Sequence, residues 1–455
     1  MTAMSTTNSG IEIRPIVPDE FAAYCYVPAT AFAENLTPAE IERWAIGYEL
    51  DRSLAAFDGD RIVGTAGADS LELTLPGGAT IPVGGLTAVA VLPTHRRRGI
   101  LRALMERHFQ DVEARGEAVS ALLAAESIIY GRFGYGPATT AVELEIDPRR
   151  AAFLRPPAEH ASERSNAVHG RPAEPAEHAS ERSNAVHGRP AEPAGSGRIR
   201  LVDGDEAAKL LPDFHDRHRR RQPGEVSRKP SWWTLYQADP ESEREGFSRH
   251  YDAVYETEPG RLDGWVSYRV QHRWSDGALP SYLVKVRTLY ALTGEAEAAL
   301  FRYCLDLDLA GTVQFQDRPA RDSLPWLLAD PRRLRTMAAA DYLWVRLLDL
   351  PAALTARRYA HRDALVIEVG DPLRPRNQGR FRLEGAPDGA ACQPAGSATP
   401  DLALGIAELS AAYLGGVPLT TLARAGRVAE LTPGALLRAD AMFTSTPAPW
   451  CTTSF

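Results

Sequence analysis

The chain has 455 residues, 44% apolar and 24% charged, with 51 lysines and arginines against 59 acidic residues for a net charge of −8. That length allows several domains, each with its own core, and the composition is that of a globular protein rather than a disordered or fibrous one. The acidic balance argues against bulk nucleic-acid binding, the four scattered cysteines against a disulfide framework, and no apolar run nears the ~20 residues of a membrane span.

In chain order, "MTAMSTTNSG" has neither the basic nor the apolar region of a signal peptide, so a cytoplasmic location is expected. "IEIRPI" reads as a strand and residues 19–33 as a helix. "LAAFDGDRIVGTAG" is a hairpin turning at Asp58-Gly59, and a second hairpin turns at Pro76-Gly77-Gly78. "GILRALMERHFQDVEARG" has helical spacing, "VSALLAAE" is a buried strand, and "TTAVELEI" closes the region by alternation. These elements make an α/β layer on a mixed sheet.

Residues 157–174, "PAEHASERSNAVHGRPAE", recur identically at 175–192. This polar tandem copy reads as a linker, and His160, His169, His178 and His187 lack the cysteine partners or regular geometry of a metal site. No metal is expected. From Ile199 the strand and helix order of residues 53–126 returns, through "DAVYETEPGRLDGWVSYRV", "SYLVKVRTLYAL", "EAEAALFRYCLDL" and "GTVQFQ". This is a degenerate second copy of the first domain or an unrelated α/β domain. "YLWVRLLDLPAAL" opens a last, α+β region with strands at "HRDALVIEVGD" and "GRFRLEG" and then short helices. The aromatic-ended "TSTPAPWCTTSF" does not read as a loose tail.

"LPTHRRRGIL", residues 92–101, sets three arginines between a strand and a helix in an acidic chain. Helix starts favour acids, so cations there point to an anion sharing the site. Arg96, Arg97 and Arg98 supply charge, and Gly99 allows close approach to free backbone N–H groups, the makings of a pyrophosphate cradle. The second copy has Thr293-Gly294-Glu295 at this junction, with no such site.

"LTAVAVLPTHRRRGILRALM" resembles the coenzyme A-binding segment of the GNAT superfamily, R/Q-x-x-G-x-G/A, with Arg96 and Gly99 matching and Leu101 departing from the usual small residue. With "IYGRFGYGPAT", the tripartite layout and the terminal phenylalanine, the chain resembles the Eis-type N-acetyltransferases throughout, apart from the duplicated linker. The resemblance implies tandem GNAT-like domains with mixed sheets and a C-terminal sterol carrier protein-like α+β domain. The expected limits are 1–148 for the first domain, 149–198 for the linker region, 199–338 for a degenerate central domain and 339–455 for the last.

The resemblance also implies a site. Val89, Ala90 and Val91 would pair with the pantetheine arm of acetyl-CoA, and Arg97, Arg98, Gly99, Ile100, Leu101 and Arg102 would cradle its phosphates. Ala125 and Glu126 would end the neighbouring, splayed strand, with Ala125 standing where the family often has serine. Tyr130 would protonate the departing thiolate, Tyr135 being the competing choice. The α-carboxylate of Phe455 would be the base, although a free α-carboxyl, with a pKa of about 3.5, needs burial or a water relay to serve. The expected activity is acetyl transfer to amines of polycationic acceptors, aminoglycosides or lysines, by a homohexamer; the rival is a non-catalytic CoA- or lipid-binding scaffold. Asp19, Glu20, Glu34 and Glu40 read as solvated faces before an acceptor channel, Arg219 to Arg221 as a helix-end complement to the dipole, and Trp232-Trp233 as core or interface.

Overall fold

In the computed structural model, which describes residues 5–6, 10–154 and 197–455, two mixed sheets with helices on their faces are joined to a third, smaller sheet. The duplicated segment and its four histidines lie outside the described residues. No helix among the described residues is long and apolar enough to cross a membrane.

The first sheet forms as its residues suggest. Asp58 pairs with Arg61 across the Gly59 turn, and Thr74 pairs with Thr80 across the Gly77-Gly78 turn, joining strands Leu54–Asp58, Arg61–Thr74 and Thr80–Val91. Helix Ile100–Ala114 buries Ile100, Leu104, Met105, His108, Phe109 and Val112, one apolar stripe, on this sheet. Strand Val119–Leu123 runs parallel to Thr80–Val91 but pairs with it only from Val83↔Val119 to Leu86↔Leu122. Beyond Leu86 the strands part. Thr87–Val91 is left with an open edge among the described residues.

The edges of the sheets depart from the expectation. Thr140–Ile146, expected to close the first sheet, lies in the second, between Ala310–Pro319 and Arg335–Asp341. Leu343–Leu347, expected to open the last domain, returns to the first sheet and pairs from Leu343↔Leu123 to Leu347↔Val119. The exchange happens at buried Thr139, whose hydroxyl accepts from Leu343 N (2.9 Å) and whose carbonyl accepts from Tyr342 N (3.0 Å). Alternation marks which face of a strand is buried; it carries no information about which sheet receives that face.

The second sheet repeats the order of the first. Tyr282–Ala291 and Ala310–Pro319 are parallel from Tyr282↔Ala310 to Val286↔Phe315 and then part, the counterpart of the first slot. Here the slot is filled. Arg318, 2% exposed, donates to the Leu289 carbonyl (2.7 Å), Asp322 (2.6 Å) and Glu297 (3.0 Å). The adjoining helix Gly294–Leu305 is capped by Thr293, which accepts from Ala296 N (3.1 Å), and has Glu295 and Glu297 in its first turn. A capped, acidic helix start beside a plugged slot suits no anion.

The third sheet centres on Asp363–Gly370, antiparallel to Gly379–Ala386 and parallel to Leu402–Gly405, under helices Ile406–Ala412 and Ala435–Phe443. Buried Arg346, on the strand that returns to the first sheet, is paired with buried Asp371 at 2.8 Å and ties the third unit down.

Burial also holds three histidines neutral. His108 and His218 are pushed down to about 3 and His215 falls well below its usual value, first by lost hydration and then by nearby arginines. The unfolded chain takes up these protons near pH ~6.5, so stability falls as pH drops below that value. At pH ~5 each such histidine costs about 2 kcal/mol. We expect calorimetry to show a steep fall in Tm from about pH 7 to about pH 5; a flat Tm over that range would contradict the neutral assignment.

Candidate active site

The parting of Thr80–Val91 from Val119–Leu123 opens a cleft of about 840 Å³. One wall is Val89, Ala90 and Val91; the next is His95, Arg96, Arg97, Gly99, Ile100, Leu101 and Arg102; the third is Ala125, Glu126 and Tyr130. Arg98, expected among them, does not line the cleft: its guanidinium lies 3.5 Å from Asp58, on the first hairpin.

The floor of the cleft is a helix start without a cap. Gly99 holds φ at 82°, and a Cβ there would meet nothing within 4 Å, so the glycine serves the left-handed turn rather than a lack of space. Arg97, at φ 64°, is left-handed too. The first-turn N–H groups of Ile100, Leu101 and Arg102 have no intrahelical acceptor, no side chain caps them, and no acid stands in the turn. Free donors, the positive helix pole and Arg96, Arg97 and Arg102 line the same cleft, which fits a phosphate group.

Two tyrosines were in competition, and their surroundings differ. Tyr135 is fully buried and its hydroxyl is bonded to Ser120 Oγ (2.8 Å), which also meets His108 Nε2 (2.8 Å) and the Gly84 carbonyl (2.9 Å). Tyr130 lines the cleft and its hydroxyl bonds to no described residue. Burial, then the Glu126 carboxylate, pushes its pKa up to about 12. The sign matters: a raised phenol stays protonated at neutral pH, a loaded donor.

Between the cleft and a second cavity the strand bulges. Ala88 holds φ at 50° where the register slips against Thr65 and Gly67, and its carbonyl accepts from the Thr65 hydroxyl (2.7 Å). Val89 faces the cleft, and Thr87 lines the second cavity, of about 730 Å³. That cavity is walled by Glu49, Asp69, Asp239, Glu243 and Asp317, with Arg228, Arg269 and Arg287 among them. Lys229 Nζ is shared by Glu49 (3.2 Å) and Asp69, Asp239 pairs with Arg269, and Glu243 pairs with Arg43. The Asp317 carboxylate bonds to no described residue, and burial pushes its pKa up.

The chain's end closes this cavity. Thr452, Thr453, Ser454 and Phe455 are on its wall. The Phe455 ring lies against Gly85, where a Cβ would stand 3.0 Å from ring carbon Cδ2 and 2.7 Å from Leu71 Cδ1. A glycine inside a strand marks a close approach of this kind, and the "VGG" of this strand is its signal in the sequence.

None of Asp19, Glu20, Glu34 and Glu40 lines the cavity; Glu20 pairs with Arg14 (2.6 Å) and Glu40 caps Thr37. The acids that do line it are scattered over four strands and loops and share no motif. Trp232 is on the cavity wall and Trp233 is buried in a core with Leu211, Phe214, Trp265 and Tyr290. Arg219, read as a dipole complement, is 3% exposed and bridges Asp216 and Glu72 of the first sheet (2.6 Å).

Residues 12–138 and 224–347 each match an acetyltransferase (GNAT) domain family, and 350–452 a sterol carrier protein domain. The chain is 36% identical to an uncharacterized N-acetyltransferase of Streptomyces griseus, over 97% of this chain and 99% of that one. It is 32% identical to the N-acetyltransferase Eis of Mycobacterium tuberculosis, over 94% and 95%. The crystal structure of Eis1 from Mycobacterium abscessus superposes with a TM-score of 0.78 at 33% identity, covering 97% of this chain and all of that one. Two GNAT domains, the second with its slot plugged, a sterol carrier-like third and these relatives make the chain an N-acetyltransferase that belongs to the Eis-type family of the GNAT superfamily.

Proposed function

We propose that this enzyme transfers the acetyl group of acetyl-CoA to amines of polycationic acceptors, aminoglycoside-like molecules or lysine side chains. The observation that carries the reading is the pair of cavities on either side of the Ala88 bulge, one with an uncapped, arginine-ringed helix start and the other walled by carboxylates. Arg96, Arg97, Arg102 and the N–H groups at Ile100–Arg102 hold the phosphates. The open edge at Val89–Val91 pairs with the amides of the pantetheine arm, and one N–H there faces the developing oxyanion. Carboxylates in the second cavity hold the acceptor's ammonium groups.

The terminal carboxylate of Phe455, directly or through a water, takes a proton from the reacting ammonium. The freed amine attacks the thioester carbonyl, a C–N bond forms, and the C–S bond breaks as the tetrahedral centre collapses. Tyr130 gives its proton to the leaving thiolate and is reloaded, through solvent, by the second proton that the attacking nitrogen loses as the amide forms; the proton taken by Phe455 passes to solvent, so one proton is released per acetylation.

A homohexamer and a cytoplasmic location belong to the same reading. Strand Arg335–Asp341, exposed along its whole length at a sheet edge, and Trp326, 83% exposed, offer surface for self-assembly, which light scattering would count.

The test is release of CoA thiol from acetyl-CoA across aminoglycosides, polyamines, lysine peptides and monoamines. Multiply charged amines are expected to react at least about tenfold faster than monoamines at equal concentration, the worth of one further ammonium–carboxylate contact. Equal rates would reject the polycation reading, and no release with any amine would reject amine acceptors altogether.

A further inference from the structure

The second domain has the plan of a cofactor-binding sheet with its slot filled, and the outer side of that filled slot seats the C-terminal tail. Trp450 lies over the Arg318 guanidinium at 5.2 Å and donates Nε1–H to the Asp317 carbonyl at 2.6 Å. Two residues on, the extended tail presents backbone N–H groups that need acceptors away from water. Glu225 supplies them. Its side chain is fully buried, one carboxylate oxygen accepts from Thr452 N (3.1 Å) and the other from Thr453 N (3.3 Å), and the Thr452 hydroxyl adds a third bond (3.3 Å). Arg228 donates to the Thr453 hydroxyl at 3.1 Å, from the same loop.

We propose that Glu225 is a positioning residue for the reaction: through Thr452 and Thr453 it holds Phe455, whose ring rests on the first domain's strand, and so sets where the terminal carboxylate lies, and the second domain serves as the clamp of the tail. The physical case is the direction and number of these bonds. Hydrogen bonds to a carboxylate are about twice as strong as neutral ones, and a buried carboxylate stripped of donors is costly. Glu225 and the tail therefore order each other. The last two residues, Ser454 and Phe455, span the remaining distance to Gly85. This inference rests on the reading of the Phe455 carboxylate as the base.

The experiment uses the full chain and two variants, Glu225→Gln and Thr452→Val. One readout is kcat and the acetyl-CoA KM; the other is the rate at which carboxypeptidase A releases phenylalanine from the native protein, well below Tm. A glutamine keeps one oxygen but turns a donor toward a tail N–H. For Glu225→Gln, kcat is expected to fall about tenfold or more with the acetyl-CoA KM within about twofold, and phenylalanine release to quicken about tenfold, as one lost charge-assisted bond implies. Thr452→Val, a milder change on the tail itself, is expected to quicken release about threefold and decides the matter if the first variant does not fold. Wild-type release rates in the folded variants would overturn the clamp. A fully active chain lacking Phe455 would instead reject the terminal base, while faster release in Glu225→Gln would still show the clamp.

Discussion

Tyr130→Phe is expected to lower kcat by roughly a hundred- to a thousandfold, the usual worth of a general acid, with acetyl-CoA affinity unchanged within about twofold. The hydroxyl is the only group removed, and it bonds to no described residue, so no buried partner is orphaned and the fold stands. At about 3–4 kcal/mol of lost transition-state stabilisation, the effect is far larger than any packing change from one oxygen. Steady-state kinetics with equilibrium acetyl-CoA binding separates the two terms; unchanged turnover would remove Tyr130 from the chemistry. Because burial raises this phenol to about 12, its ionisation also adds no downward limb to the pH–rate profile below about pH 10. Tyr135→Phe makes a contrasting control: it breaks the buried Ser120–His108 network and is expected to lower Tm rather than change the mechanism.

Deletion of Phe455 is expected to cost about a hundredfold or more in kcat. It leaves a carboxylate on Ser454, one residue short of Gly85, and a misplacement of even ~1 Å can cost about a hundredfold. It also uncovers the glycine strand against which the ring rests. Comparing kcat of the full and shortened chains, with light scattering to confirm the same assembly, isolates the terminus. A shortened chain of full activity would mean that another group takes the proton, with Asp317, raised by burial and without a bonded partner among the described residues, the first to test.

Both predictions depend on side chains that differ in how they could be read. The arginine loop announced itself, because cations before a helix defy the dipole unless an anion is present. Its helix start is indeed uncapped, and ten of the eleven residues expected to meet the cofactor line one cleft, Arg98 excepted. The plugged state of the second copy was half legible: Thr293 and Glu295 promised no anion site, but nothing in the order of residues said that Arg318 would fill the slot. Glu225 was not legible at all, a lone acid in "PGEVSRK", because its partners on the tail lie more than two hundred residues away.

The sequence alone determined what is local. Hairpin turns and the helix stripe on Ile100–Ala114 follow from contacts within a few residues, where spacing and φ preferences act directly. The tertiary structure decided which sheet received Thr140–Ile146 and Leu343–Leu347, which acids wall the second cavity, and where the Phe455 ring lies. Those outcomes depend on pairings between distant segments, which hydrophobic alternation permits in more than one way and only the packed core, with its buried bonds, makes unique.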